Sequence, residues 1–268
     1  MQPVVQRVVS GTPGLDRMLH GGLLSGRMYV IVGPPGSGKT ILAVQFLLEG
    51  VKRGENVLLV ALDEPPSEIR ENLGAMFGSN FDRIRVLDAN LETKSYQKTP
   101  VRDVSIQRYS ESFDKVFPEI PRSTDSRNPE LTASAVQEMI KTEVMKNKIN
   151  RIVIDSMTSL KCFLMPEGDQ NQFMQSFFRF LSDLQVTTIV TIQEGESSNP
   201  LWKSCCIEDV MARGVIRLHK WLQHNGFRTG ISIEKFRGSD HDTRIKRIKL
   251  TSIGLQILDR HGPAKGGG

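Results

Sequence analysis

The chain has 268 residues, of which 38% are hydrophobic and 24% charged, and its formal net charge is +5. This length and apolar content suffice for one large α/β domain or for two small ones. The sequence contains no run of about 18 apolar residues and does not begin like a signal peptide, so we expect neither membrane insertion nor secretion. Its three cysteines lack a metal-binding spacing, as expected of a reduced, cytoplasmic protein.

The positive charge is concentrated near the C-terminus. Residues 201–268 carry 13 Lys and Arg against 6 Asp and Glu, whereas the rest of the chain is slightly acidic. A basic surface there would suit nucleic acid, the nucleotide of a neighbouring subunit, or solvent alone, and charge does not decide among the three.

In chain order, residues 10–23 predict a turn, a short helix and a glycine turn that cap the core. A buried strand at 28–32 and an amphipathic helix from residue 41 then flank a sequence that fits the P-loop pattern at every fixed position. Glycines permit positive φ, so the backbone N–H groups of such a loop surround phosphates at a helix N-terminus. We therefore predict that the loop binds ATP or GTP through Gly33, Pro34, Pro35, Gly36, Ser37, Gly38, Lys39, Thr40 and Ile41.

Two residues of this loop have specific predicted roles. The ammonium group of Lys39 is expected to reach the β- and γ-phosphates, and the hydroxyl of Thr40 is expected to bind Mg²⁺. ATP and Mg²⁺ are accordingly the cofactors that the sequence predicts.

Strands and helices alternate after the P-loop. Strands are predicted at 57–62, 84–88, 151–156 and 186–192, and helices at 68–77, 131–148 and 173–184. Later runs at 215–218, 230–234 and 245–250 predict strands joined by hairpins. The pattern indicates an α/β fold with a doubly wound, mainly parallel sheet and a C-terminal antiparallel extension.

The expected organisation is a single domain over residues 1–260 and a flexible tail over 261–268. Residues 95–130 are rich in proline and polar residues and predict a surface insertion or mobile loop. This insertion is a candidate binding site for a partner protein.

Acidic and amide side chains follow the predicted strands at the edge where such sheets bind ligands. Asp155 ends a buried strand and has the form of a Walker B acid that binds Mg²⁺, although an isolated acid in this position is usually just solvated. Glu64, with its neighbour Asp63, is the candidate for the group that deprotonates water, on the expectation that its strand lies beside the P-loop strand. Gln193 ends a further strand at the same edge.

Five motifs in order carry a family resemblance: Gly-Leu-Asp-x-x-Leu-x-Gly-Gly-Leu at 14–23, the P-loop, Asp-Glu-Pro-Pro-Ser-Glu-Ile at 63–69, Ile-Asp-Ser-Met-Thr-Ser-Leu at 154–160, and Lys-Phe-Arg-Gly-Ser-Asp-His at 235–241. From about residue 8 to 258 the chain resembles a single KaiC domain of the RecA-like ATPases. This resemblance implies a RecA-like core, Mg·ATP binding and assembly into a homo-oligomeric ring, commonly a hexamer, with nucleotide at the subunit interfaces.

Position by position, the resemblance implies roles for further residues. Glu64 matches the general base of the family's acidic pair, while Asp63 departs from the usual glutamate. Lys235 and Arg237 match a pair that reaches the neighbouring subunit's phosphates, and Ser239 and His241 match residues near the same nucleotide. The alternative is that these residues are only exposed charge on a β-hairpin.

Three functions remain open at this level. The first is a KaiC-like ATPase that hydrolyses ATP slowly and switches a ring or a partner complex by nucleotide state. The second is a recombinase paralogue that binds DNA, although the basic segment has few aromatic residues and binding to nucleic acid is expected to be weak. The third is a nucleotide-binding scaffold like the archaellum protein FlaH.

Overall fold

The computed structural model describes residues 6–89, 133–159, 170–194, 210–224 and 226–258. The predicted insertion at 95–130 and the predicted tail at 261–268 lie outside these residues. Strands and helices follow in the order β1 Arg7–Val8, α1 Leu15–Met18, β2 Leu23–Leu24, β3 Met28–Gly33, α2 Lys39–Lys52, β4 Val57–Ala61, α3 Pro66–Phe77, a 3₁₀-helix Gly78–Arg83, β5 Arg85–Asp88, α4 Ala133–Asn147, β6 Arg151–Asp155, α5 Gln170–Asp183, β7 Thr187–Gln193, β8 Gly214–Gln223, β9 Gly226–Phe236, β10 Lys246–Thr251 and β11 Gly254–Leu258.

A nine-stranded sheet dominates the described part of the chain, with the order β11-β10-β9-β8-β3-β7-β6-β4-β5. The six strands from β8 to β5 are parallel to their neighbours, and β9, β10 and β11 continue the sheet as antiparallel strands. The predicted mainly parallel sheet with an antiparallel extension is confirmed. Because all six parallel strands point the same way, their carboxyl ends form one edge of the sheet.

Both faces of the parallel part of the sheet are buried, which explains the continuous apolar runs of those strands. In β3, Tyr29 and Ile31 face a core shared with α2, whereas Val30 and Val32 face a second core shared with α4 and α5. The second core contains a row of phenylalanines on α5 whose rings contact one another at centroid distances of 5.7 and 5.8 Å: Phe173, Phe177 and Phe180.

The edge strand β11 is capped rather than open. The side chain of Gln45 on α2 accepts a hydrogen bond from the backbone N–H of Leu255 (2.8 Å) and donates one to its carbonyl (3.1 Å). The backbone N–H of Ile257 donates to the carbonyl of Pro13 (3.2 Å). These bonds satisfy polar groups that would otherwise be available for pairing with another strand. Among the described helices, none is long and apolar enough to cross a bilayer.

Candidate nucleotide and magnesium site

The P-loop connects β3 to α2 and depends on glycine at three positions. Gly36 and Gly38 have φ values of +68° and +97°, which side chains with a Cβ rarely adopt. At Gly33 a Cβ would lie 2.8 Å from the carbonyl oxygen of Leu218 and 2.9 Å from Ser37 Oγ, so the close approach of β8 requires glycine. Gly38 precedes the first turn of α2, whose free N–H groups and positive dipole end favour anions.

Lys39 is held against the loop's own backbone. Its ammonium group donates hydrogen bonds to the carbonyls of Gly33 (2.9 Å) and Pro34 (3.0 Å). Partial burial lowers the pKa of Lys39, and the nearby carboxylates of Asp155 and Asp63 oppose that shift. The cation therefore lies between the loop and the acidic strand ends, where it would meet a nucleotide's phosphates.

Thr40 and Asp155, the two predicted magnesium ligands, contact each other. The carboxylate of Asp155 accepts hydrogen bonds from the side chains of Thr40 and of Thr191 on the neighbouring strand β7. Burial raises the pKa of Asp155, and these two hydrogen bonds oppose the increase. A hydroxyl beside a carboxylate is the kind of oxygen pair that Mg²⁺ accepts from proteins, so the residues fit that ion.

A further buried oxygen lies in the loop itself. Ser37 Oγ is inaccessible to solvent and makes no hydrogen bond within the described residues. A buried hydroxyl without a partner is uncommon in folded proteins, and a phosphate oxygen would satisfy it.

Asp63 and Glu64 follow β4, and here one expectation was wrong. β4 does not lie beside the P-loop strand, because β7 and β6 separate it from β3. Both acids nevertheless lie at the edge that carries the P-loop, since all these strands are parallel. Partial burial raises the pKa of Glu64, and the negative charge of Asp155 raises it further.

Gln193 and the residue after it are anchored next to the P-loop. Gln193 pairs with Gly33 in the β3–β7 register, and its backbone N–H donates to Thr158 Oγ1 (2.8 Å). The backbone N–H of Glu194 donates to the carbonyl of Gly33 (3.0 Å). The carboxylate of Glu194 accepts a bond from the buried guanidinium of Arg217 (2.6 Å), which fixes this acid beside the loop.

Sequence reasoning did not identify Thr191, Glu194 or Arg217 as contributors to this site. Thr191 stands in an apolar run and is indistinguishable from an ordinary strand residue. Glu194 and Arg217 are 23 residues apart and come together only because β7 and β8 flank β3.

Lys235 and Arg237 lie at the edge of the sheet formed by the amino ends of the parallel strands. Their own P-loop lies at the opposite edge, formed by the carboxyl ends. Both side chains donate to the carbonyl of Val210 (3.0 Å each). Phe236 between them is 4% exposed and stacks on Tyr29 at a centroid distance of 5.8 Å. As expected for residues two apart, the cations project together while the phenylalanine packs inward.

A β-bulge sets this orientation. The β8–β9 register steps from Ile216–Ile233 to Val215–Lys235, so Glu234 is an extra residue in β9. An extra residue shifts the alternation of side chains by one position, which turns Lys235 outward and leaves Phe236 in the core.

The strand register also separates the pair from its own nucleotide site. Phe236 pairs with Gly214, which pairs with Tyr29. From Tyr29 to Gly33 the strand rises roughly 13 Å, and two inter-strand spacings of about 5 Å add to the separation. This exceeds the length of an arginine side chain, so neither cation reaches the P-loop of its own subunit.

Ser239 and His241 lie in the turn after β9, near the same edge as Lys235 and Arg237. Ser239 Oγ accepts a hydrogen bond from Arg7 (2.6 Å). The ring of His241 contacts Phe236 edge-on at 6.3 Å, and both of its nitrogens are buried without a hydrogen bond to any described residue. The predicted site residues thus form two groups, one at each edge of the sheet.

Together, the P-loop, the acid that ends β6 and the parallel sheet define a P-loop nucleotide-binding protein. Comparison with known proteins identifies the family: a family model described as "ATPase: KaiC" matches residues 8–262. The chain therefore belongs to the KaiC family of ATPases, and its fold is RecA-like.

Several individual proteins are similar to this chain. Circadian clock protein KaiC3 of Synechocystis is 30% identical over 243 residues, which cover 88% of this chain and 42% of that protein. A UPF0273 protein of Thermotoga maritima is 27% identical over 269 residues, which cover 97% of this chain and 98% of that protein. The crystal structure of a KaiC-like protein from Pyrococcus horikoshii superposes with a TM-score of 0.72 at 23% identity, covering 95% and 100% of the two chains. The chain thus spans less than half of KaiC3.

Proposed function

We propose that this chain hydrolyses Mg·ATP at the interfaces between copies of itself in a homo-oligomeric ring, and that the state of the nucleotide switches the ring or a complex with a partner. The observation that carries the proposal is the separation of the two groups of site residues. Lys235 and Arg237 lie too far from their own P-loop to contact its phosphates, but Arg237 is exposed and Lys235 partly exposed at an edge where a neighbouring P-loop would meet them.

The candidate site residues have distinct roles in this proposal. The N–H groups of the P-loop and Lys39 bind and orient the phosphates. Thr40 and Asp155 would hold Mg²⁺, which when bound neutralises phosphate charge. Glu64 accepts a proton from water as the water oxygen bonds to the γ-phosphorus, the bond to the bridging oxygen breaks, and ADP leaves. Lys235 and Arg237 of the neighbour stabilise the charge that develops on the γ-phosphate oxygens.

The raised pKa of Glu64 supports its role as the base. A carboxylate is a stronger proton acceptor when its pKa is closer to the working pH. Burial and the charge of Asp155 act in this direction.

The dependence of activity on assembly tests this proposal. If the site needs two subunits, ATPase activity per subunit falls on dilution as the rings dissociate, and native mass spectrometry with Mg·ATP detects rings over the active range. Activity per subunit that stays constant down to concentrations at which only monomers exist would exclude an interface site.

A further inference from the structure

Arg7, in the short strand β1, connects the N-terminal segment to the turn that follows Lys235 and Arg237. One nitrogen of its guanidinium donates to the carbonyls of Leu19 (3.0 Å) and Gly22 (2.8 Å). Another donates to Ser239 Oγ (2.6 Å). The same guanidinium lies 5.9 Å from the ring centroid of Phe236. One side chain therefore bridges a segment near residue 20 and a turn more than 200 residues further along the chain.

Other bonds between the same two segments support the bridge. The backbone N–H of Asp242 donates to the carbonyl of Met18 (2.9 Å), and His20 Nδ1 lies 3.5 Å from a carboxylate oxygen of Asp240. These contacts hold the far end of the turn, whereas Arg7 holds its beginning. The turn that begins with Arg237, directly after Lys235 and Phe236 of β9, is thus braced by the N-terminal segment rather than by the sheet alone.

We infer that Arg7 is a positioning residue for ATP hydrolysis in the neighbouring subunit, which it assists by fixing the orientation of Lys235 and Arg237. The inference rests on the proposed function. Arg7 packs against Phe236, the residue between the two cations, and bonds to Ser239 two residues beyond them. Displacement of a reacting group by about 1 Å costs on the order of 100-fold in rate, so a brace on this turn affects catalysis without contacting nucleotide.

Arginine suits this role for a geometric reason. A planar guanidinium presents several N–H groups in fixed directions, and here these groups bridge three acceptors from two segments. A lysine would supply the charge from a single nitrogen and could not hold both segments in the same geometry. Arg7→Lys therefore separates the bridging geometry from the charge.

The test compares Arg7→Ala and Arg7→Lys with wild type in nucleotide binding, turnover and ring assembly. We expect both variants to bind ATP with unchanged affinity, because the P-loop is intact, and kcat to fall by about 10- to 100-fold. Arg53→Ala is the matched control, because Arg53 is an exposed arginine whose side chain bonds only to Glu49 among the described residues. The control should keep wild-type kcat.

Mixing subunits distinguishes positioning from a general structural defect. A subunit with Arg7→Ala has a sound Glu64 but presents a poorly placed Arg237 to its neighbour. Mixing it with Glu64→Gln subunits should restore activity, because such a neighbour supplies a well-placed Arg237 to the sound Glu64. Mixing it with Arg237→Ala subunits should not restore activity, because neither kind of subunit then supplies a well-placed Arg237. In a variant that already carries both Lys235→Ala and Arg237→Ala, adding Arg7→Ala should slow turnover no further.

The following results would each overturn the inference about Arg7. Restoration of activity by Arg237→Ala subunits would place the defect of Arg7→Ala in its own nucleotide site. A wild-type kcat for Arg7→Ala beside an impaired Arg237→Ala overturns the role of Arg7 but leaves the interface site intact. A wild-type kcat for Arg237→Ala overturns the proposed function and the Arg7 inference with it. If Arg7→Ala fails to assemble, Arg7→Lys carries the same test, and wild-type kcat in that variant contradicts the inference.

Discussion

We expect Lys39 to contact the phosphates directly, since its ammonium group already lies on the loop, where it donates hydrogen bonds to the backbone carbonyls of Gly33 and Pro34. Hydrogen bonds to charged groups contribute about 1.5–3 kcal/mol each, so Lys39→Ala should weaken ATP binding by at least about 100-fold. Isothermal titration calorimetry measures this loss. Lys52→Ala, at the exposed C-terminal end of α2, serves as the control and should bind ATP like wild type. Unchanged affinity in Lys39→Ala would mean that nucleotide binds elsewhere.

Glu64 is expected to act only in the chemical step. Glu64→Gln should keep Mg·ATP bound while turnover falls by about 100- to 10,000-fold, because the amide positions water but accepts no proton. Phosphate release and nucleotide binding measured on the same sample separate the two effects. Glu71→Gln, an exposed acid on α3, is the matched control. Wild-type turnover in Glu64→Gln would place the base on another residue.

The pH dependence of turnover follows from the same carboxylate. The pKa of Glu64 is raised, and the proposed role as base requires its deprotonated form. We therefore expect kcat to fall as the pH is lowered through a value above the usual glutamate pKa of about 4.3. Residual activity in Glu64→Gln should lack this acidic limb. An acidic limb that persists unchanged in the variant would belong to a different group.

Asp242 in the turn after β9 is a second group whose charge state matters, in this case for stability. Its carboxylate accepts hydrogen bonds from the backbone and side chain of Arg244 and lies 3.3 Å from Lys246 Nζ. These contacts hold the pKa of Asp242 well below its usual range. A depressed folded-state pKa stabilises the protein above the unfolded-state pKa of about 4, and this stabilisation is lost as the pH falls below that value.

Asp242→Asn should accordingly lower the melting temperature at pH 7, and the difference from wild type should shrink below about pH 4. Thermal unfolding followed by circular dichroism across this range tests the expectation. Equal melting temperatures at neutral pH would show that the ion pairs contribute nothing measurable, as many exposed pairs do.

The antiparallel extension explains where part of the C-terminal charge lies. The register places Trp221 opposite Arg228, and Gly230, on the same face of β9, opposite Arg247. Lys249 follows two residues later on that face, so one aromatic ring and three cations share a surface. Since Trp221 is the one Trp, Tyr or Phe on this face among the described residues, we expect weak binding to single-stranded DNA that is lost between about 50 and 200 mM salt.

Fluorescence anisotropy of a labelled oligonucleotide measures this binding at both salt concentrations, with and without ATP. Lys146→Ala, on α4 and away from the extension, is a charge-matched control for Lys249→Ala. Tight binding at physiological salt that ATP strengthens would favour the recombinase function over the one proposed.

The local pattern of apolar residues was sufficient to predict most of the strands and helices from the sequence. Buried parallel strands such as β3 and β6 are continuous apolar runs, and α5 has a strong apolar stripe. The same local pattern was not sufficient to predict which strands lie next to each other or which side chains meet across the sheet. The expectation that the strand before Glu64 lies beside the P-loop strand failed, since strand order depends on the crossovers and not on the sequence of any one strand. Thr191 was missed for the same reason, because its bond to Asp155 exists only where β6 and β7 are neighbours.

Under the proposed function, the described part of the subunit carries two incomplete halves of one reaction site. One edge of the sheet carries the P-loop with its surrounding acids, and the opposite edge carries Lys235 near the end of β9 and Arg237 at the start of the braced turn. Head-to-tail association brings opposite edges of successive copies together, and such an interface closes into a ring when the rotation between copies permits. Nucleotide occupancy and subunit contact would then be linked, because each affects the same interface.

Mixing Arg237→Ala subunits with Glu64→Gln subunits tests this arrangement most directly. Each variant alone should be nearly inactive, but in a mixed ring an Arg237→Ala subunit keeps its own Glu64 and receives Arg237 from a Glu64→Gln neighbour. With random mixing at equal amounts, about a quarter of the interfaces have this composition, so activity should recover to about a quarter of the wild-type value. If native mass spectrometry detects mixed rings and no ATPase activity returns at any ratio, the two cations do not act across the interface.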